Sequence, residues 1–308
     1  MRCIFCLEEK SPSDEHVIPE SIGGRLCIKE VCRECNSKLS RLVDNPFASC
    51  SLIQLARYTH SLGGKRDIIP FPFGGVGTFA TGQKVSLDQN FTPHAKRAFT
   101  ITKFPDGSLQ IHFSADASDK DNLEQLLGEP LRKALVTEFP NWSPEKLQDE
   151  ISKIIEYASA QTPVSEHKPI KKQWSVGLDD LLFEFLKISY EMWFRRFGYS
   201  WVENSATAAT LRAAILNRDP SLPIRGQLFC SEIPIPVSDP FKNHVILLLN
   251  GGCVMRLFNI SCAVECEESD LQFKLSEEDS RITIQDFLTG ALTEENLPVF
   301  LANNLPTG

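Results

Sequence analysis

Four of the five cysteines in the first 35 residues constrain this chain more than any other feature. Cys3-x2-Cys6 and Cys32-x2-Cys35 are two matched pairs separated by 25 residues. A Cys-x2-Cys turn places both sulfurs on one side and offers backbone N–H groups to the thiolates. Two such turns complete a tetrahedral set of four sulfurs, which suits Zn²⁺. Residues 1–45 are dense in Cys, Gly and charge and cannot build a hydrophobic core alone, so a metal staple is the expected remedy. Cys3, Cys6, Cys32 and Cys35 are the expected ligands of a structural zinc. Cys27 and Cys50 have no partner two residues away and read as core thiols. Cys262-x3-Cys266, with the isolated Cys230 and Cys253, reads as buried cysteines in a sheet.

Between the pairs runs Glu15-His16-Val17-Ile18-Pro19, then Ile22-Gly23-Gly24. The apolar pair, the proline and the two glycines predict one strand of a short hairpin followed by its bend. Asn36 directly follows the last cysteine and is expected near the start of a helix, Ser37–Asp44. On one surface the hairpin then offers a carboxylate and an imidazole, and the helix an amide oxygen. Carboxylate and amide oxygens are hard ligands that suit Mg²⁺ or Mn²⁺. A neutral imidazole beside them can take a proton from water.

The order CxxC, EHVIP-x-S-x-GG, CxxCN resembles the HNH endonucleases, the ββα-metal nucleases, and is similar to their zinc-stapled branch in restriction and phage-defence enzymes. The resemblance covers about residues 1–45. It implies that His16 is the general base, Glu15 a ligand of a catalytic Mg²⁺ or Mn²⁺, and Asn36 the second ligand, a place held by His in many members. There is one departure. The family's middle Asn, which holds the histidine ring, belongs between the glycines and Cys32. Arg25–Val31 contains neither Asn nor His, which leaves open what orients His16. The implied activity is metal-dependent hydrolysis of DNA phosphodiester bonds, in a restriction or phage-defence effector. Two alternatives stay open: a catalytically inactive zinc module that binds nucleic acid or protein, and an RNA-directed nuclease. Arg25, Arg33, Lys38 and Arg41 are candidate phosphate contacts, each read equally well as a solvated charge. Asp44 reads as a helix-surface carboxylate.

Charge supports a division of labour. Residues 1–66 hold ten Lys and Arg against eight Asp and Glu, whereas the remainder holds 22 against 32. DNA or RNA is expected on the first 66 residues, because nucleic-acid affinity rests on basic surface. The acidic remainder is a candidate for homodimer contacts or a regulatory protein partner. No run approaches the ~18 apolar residues of a membrane span, and no apolar signal stretch opens the chain, so a cytoplasmic location without membrane partners is expected.

The fold class expected is α+β: a small N-terminal zinc-stapled ββα-metal module followed by a larger mixed region. Three consecutive regions are expected. Residues 1–66 form the module and include a short helix whose apolar face is Leu52, Leu55, Ala56 and Leu62. Residues 67–165 hold a hairpin, 99–104 with 109–115 turning at Asp106-Gly107, and then helices at 119–136 and after Ser143-Pro144. Residues 166–308 follow a linker at 162–172 and carry a buried helix at 179–198, capped by Asp179 or Asp180. A second helix, 206–217, precedes strands that include an Asn250-Gly251 hairpin.

Overall fold

Strand β1 (Pro12–His16) pairs antiparallel with β2 (Cys27–Cys32) in the computed structural model of the chain, with His16 opposite Cys27 and Glu15 opposite Ile28. The structure describes residues 1–64, 67–79, 82–106, 108–161, 169–174, 176–221, 226–229 and 242–305. The bend between the two strands is a single tight turn at Glu20–Ile22, closed by Gly23 at φ +88°. A side chain at Gly23 is excluded twice over. Its backbone is left-handed, and a Cβ would lie 2.3 Å from the Phe287 carbonyl oxygen. Helix α1 (Arg33–Leu39) starts directly from β2, with the Cys32 sulfur accepting from the Cys35 N–H as its cap. A wider turn at Ser40–Asp44 leads into α2 (Asn45–Ser49) and α3 (Ser51–Thr59). In α3 the buried residue is Ile53, while Leu52 and Leu55 are exposed. The apolar face expected there is rotated, because the helix packs by Ile53 and Ala56 against the core.

Contacts gather the three consecutive regions of the sequence into two compact units, Phe73–Trp174 and the combination of Met1–Pro72 with Ser175–Gly308. The inserted unit holds a sheet with strand order β5-β4-β3-β8, made of β3 (Val76–Phe79), β4 (Lys84–Leu87), β5 (Pro93–Ala95) and β8 (Ile170–Lys171). It also holds the expected hairpin, β6 (Ala98–Lys103) with β7 (Leu109–Ser114), in the register Phe99 to Phe113 and Ile101 to Ile111. Asp106 accepts from the Ser108 N–H at 2.9 Å in its turn; Gly107 lies outside the described residues. Helix α4 (Leu123–Glu138) stacks Leu123, Leu127, Leu131 and Leu135 at intervals of four against α5 (Pro144–Ala160), which Ser143 caps. Of the expected linker 162–172, residues 162–168 lie outside the described residues, and Ile170–Lys171 form β8.

The other unit is organised around α6 (Leu178–Phe197). The sequence suggests one buried face, yet this helix is buried on every side from Phe183 to Phe194. Its N-cap is Gly177, not an aspartate, and Asp180 instead pairs with Arg218. Helices α7 (Tyr199–Asn204) and α8 (Ala206–Asn217) turn back beside it. A six-stranded antiparallel sheet follows, ordered β14-β13-β10-β11-β12-β9. Its strands are β9 (Gly226–Phe229), β10 (Asn243–Leu249), β11 (Gly252–Leu257), β12 (Ile260–Glu265), β13 (Arg281–Asp286) and β14 (Leu292–Asn296). The Asn250-Gly251 turn joins β10 to β11, with Gly251 at φ +74°. Strand β10 is buried on both faces, which explains its unbroken apolar run. Ile246 and Leu248 face the main core, and Val245 and Leu247 face α9 (Leu297–Asn304). The main core is shared: Val17, Ile18, Ile22, Val43 and Phe47 pack in one cluster with α6, α8 and the sheet.

Candidate active site

The two cysteine pairs converge. The ligand atoms of Cys3, Cys6, Cys32 and Cys35 all lie within 4.8 Å of one another. Four sulfurs at ~2.3 Å from a tetrahedral zinc are about 3.8 Å apart, and Cys6 Sγ lies 3.9 Å from Cys32 Sγ. The thiolates are also solvated from the backbone. Cys3 Sγ accepts from Phe5 N–H at 3.4 Å and Cys32 N–H at 3.3 Å, and Cys32 Sγ from Cys35 N–H at 3.5 Å. Burial pushes the Cys3 thiol up, but those backbone donors outweigh it and hold the thiol below its usual value. The donor set and its spacing fit structural zinc. Cys27 is exposed on β2, and Cys50, Cys253, Cys262 and Cys266 are buried outside the cluster; Cys230 lies outside the described residues. Burial raises the Cys262 and Cys266 thiols to about 12, consistent with inert core positions.

Beside the zinc staple, β1 and α1 bring Glu15, His16 and Asn36 onto one small module. Asn36 Nδ2 donates to the Asp14 carbonyl at 2.8 Å and to Ser13 Oγ at 3.3 Å, stitching the helix to the strand two residues before His16. His16 is half-buried, and no described residue hydrogen-bonds its ring. Arg25, Arg33 and Arg41 are exposed and Lys38 half-buried, as phosphate contacts require; Arg25 also lies 4.0 Å from Glu20.

The surroundings of Glu15 were not foreseen. Its side chain is 2 % exposed, and Lys187 of α6 reaches it from 172 residues away with Nζ 3.1 Å from Oε1. The same ammonium donates to Asp44 Oδ1 at 2.6 Å and to the His16 carbonyl at 3.2 Å, and lies 3.3 Å from Glu184 Oε1. Asp44 is therefore not the helix-surface carboxylate that its place in the sequence suggested: the turn after α1 points it inward onto Lys187. Burial works against the Lys187 charge, but Asp44, Glu184, Glu15 and Glu191 outweigh it and hold the ammonium far above its usual value. Burial, partly offset by Lys187, raises the carboxyl groups of Glu15, Glu184 and Glu191. One signal in the sequence pointed here. Glu184, Lys187 and Glu191 sit three and four residues apart, the only charged residues between Leu181 and Phe194 of the helix.

A catalytic Mg²⁺ or Mn²⁺ does not fit this donor set. The carboxylate it would need carries an ammonium, and apart from the four thiols no group of three or more His, Cys, Asp and Glu among the described residues is close enough, as the side chains stand, to share an ion. No described helix is long and apolar enough to cross a membrane.

Residues 3–50 match the family model of the HNH endonucleases. No curated protein and no solved structure matches the chain. The match ends within the module built by β1, β2, α1 and α2, and it contains the four thiols, Glu15, His16 and Asn36. Over residues 3–50 the N-terminal module is similar to the HNH endonucleases.

Proposed function

We propose that the N-terminal module hydrolyses phosphodiester bonds in DNA, with His16 as the general base. The observation that carries this reading is the match of residues 3–50 to the HNH endonucleases, on a module whose thiols gather and whose His16 is only half-buried. In this reading the His16 ring accepts a proton from the attacking water. Asn36 ties α1 to β1 and so fixes the backbone that carries His16. Arg33, Lys38 and Arg41 attract the phosphate backbone, and Arg25 extends the basic surface. A divalent ion, where one is bound, would stabilise charge on the phosphate; no step is assigned to it, because Glu15 is already paired. The biological setting proposed is restriction of incoming DNA.

One observation favours a second reading. The Glu15–Lys187 pair favours a zinc module that binds nucleic acid without cutting it. Plasmid cleavage by wild type and His16→Ala, with Mg²⁺, Mn²⁺ or EDTA and equal zinc content, separates the two. Cleavage by wild type and not by His16→Ala supports the nuclease. Salt-dependent DNA binding with no cleavage by either supports the binding module. A competing RNA substrate that is cut in preference would reassign the target.

A further inference from the structure

We infer that Lys187 is the resident cation of the module: its ammonium fills the oxygen cage at Glu15, so Glu15 holds the long helix α6 and is not a metal ligand. This inference concerns cation occupancy. It does not depend on whether the module cuts nucleic acid.

Four oxygens surround Nζ, from Asp44 at 2.6 Å, Glu15 at 3.1 Å, the His16 carbonyl at 3.2 Å and Glu184 at 3.3 Å. An ammonium has three protons to offer, and it donates them to Asp44, Glu15 and the His16 carbonyl; Glu184 lies in ion-pair range without a hydrogen bond. Mg²⁺ would need oxygens at ~2.1 Å and Ca²⁺ at ~2.4 Å, so the cage has the size of an ammonium and not of a bare divalent ion. It is also rich in carboxyl groups. Glu184 and Glu191 are fully buried on the same stripe of α6, and none of their four carboxylate oxygens has a hydrogen-bond partner among the described residues. Such unpartnered oxygens mark a site that one ammonium does not saturate. Removing that ammonium would leave carboxylates facing inward with no counter-charge; these hard oxygens stand too far apart around the ammonium to share an ion, and close on a divalent cation only once it is gone.

The lysine cannot swing aside in the folded chain. Its side chain is wholly buried, and leaving would strip three carboxylates at once. Its bond to the His16 carbonyl gives it a second consequence. Lys187 ties α6 to the backbone of the proposed base, on a strand that β2 already pairs at His16 and Cys27.

The test is Mn²⁺ titration of the zinc-loaded full chain, following free Mn²⁺ by electron paramagnetic resonance, with no nucleic acid present. Glu15→Gln, Lys187→Met and the double variant are compared with wild type, and zinc content and circular dichroism are checked on each. The expected result has two parts. Glu15→Gln changes Mn²⁺ affinity less than twofold while lowering the unfolding temperature. Lys187→Met gains a site at least tenfold tighter than any in wild type, and the double variant loses it. A tenfold or greater loss of Mn²⁺ affinity on Glu15→Gln alone would overturn the inference, and so would a folded Lys187→Met that gains no site. If Lys187→Met does not fold, the Glu15→Gln titration decides alone. Because no cleavage is read, a protein that never cuts DNA leaves this test intact.

Discussion

At the scale of single residues, two histidines with opposite surroundings carry the clearest expectations. His16 is half-buried on β1. If it takes the proton from water, His16→Ala should lower cleavage by about 10²- to 10⁴-fold, the usual contribution of a general base, without changing zinc content or unfolding temperature. Equal cleavage by the variant would remove His16 from the mechanism. His244 is wholly buried on β10, with Nε2 2.9 Å from the Ile22 carbonyl oxygen. Burial drops its pKa from 6.5 to about 4. A histidine lowered in the folded state stabilises the protein above the unfolded value. That contribution fades as pH falls from 6.5 towards 4, and amounts to about 3 kcal/mol. His244→Gln keeps a donor near Ile22 but does not titrate. Urea unfolding at pH 7 and pH 4 should therefore show a drop smaller by about 3 kcal/mol in the variant; parallel pH profiles would show that His244 is not charged on unfolding.

At the scale of elements, the turn between β1 and β2 is the tightest construction in the module. A Cβ on Gly24 would lie 1.8 Å from the Ile18 carbonyl oxygen and 2.9 Å from that of Pro19, both backbone atoms that have no flexible end to move. Gly24→Ala should destabilise the folded chain by about 3 kcal/mol or more, at the upper end of overpacking costs. That corresponds to a fall of roughly 6–12 °C in unfolding temperature at this size. A change of under 2 °C would mean that the turn relaxes. Much of this level was legible in the sequence, for a local reason. The hairpins 98–103 with 109–114 and 243–249 with 252–257, the Ser143 cap and the span of α8 are set by residues a few positions apart. The rotation of α3 onto Ile53 and the burial of α6 on every side were not legible. Both depend on which surface arrives from elsewhere, and an isolated periodicity cannot name its partner.

At the scale of the whole molecule, the N-terminal module is not an independent bead. Tyr190 donates to the Ile4 carbonyl at 2.5 Å, Gln285 to that of Gly23 at 2.6 Å, and Arg218 to that of Leu42 at 2.6 Å. Val17, Ile18, Ile22, Val43 and Phe47 are buried in a core they share with residues beyond 175. A fragment of residues 1–72 exposes that surface to water even with zinc bound. It should therefore show a poorly dispersed amide spectrum and no cooperative thermal transition. A sharp transition with dispersed signals would show that the metal alone suffices.

The sequence by itself determined a set of four thiols that fits zinc, the hairpin and helix that carry His16 and Asn36, the likeness of residues 3–50 to the HNH endonucleases and the α+β class. Each of these follows from residue types at short fixed spacings, where local geometry leaves few alternatives. The tertiary structure alone decided what surrounds Glu15, and that the last third of the chain completes the core of the first. Glu15 and Lys187 are separated by 172 residues. Nothing within reach of either along the chain announces the other, and only the folding of α6 against β1 brings carboxylate and ammonium together, out of water, where each requires the other.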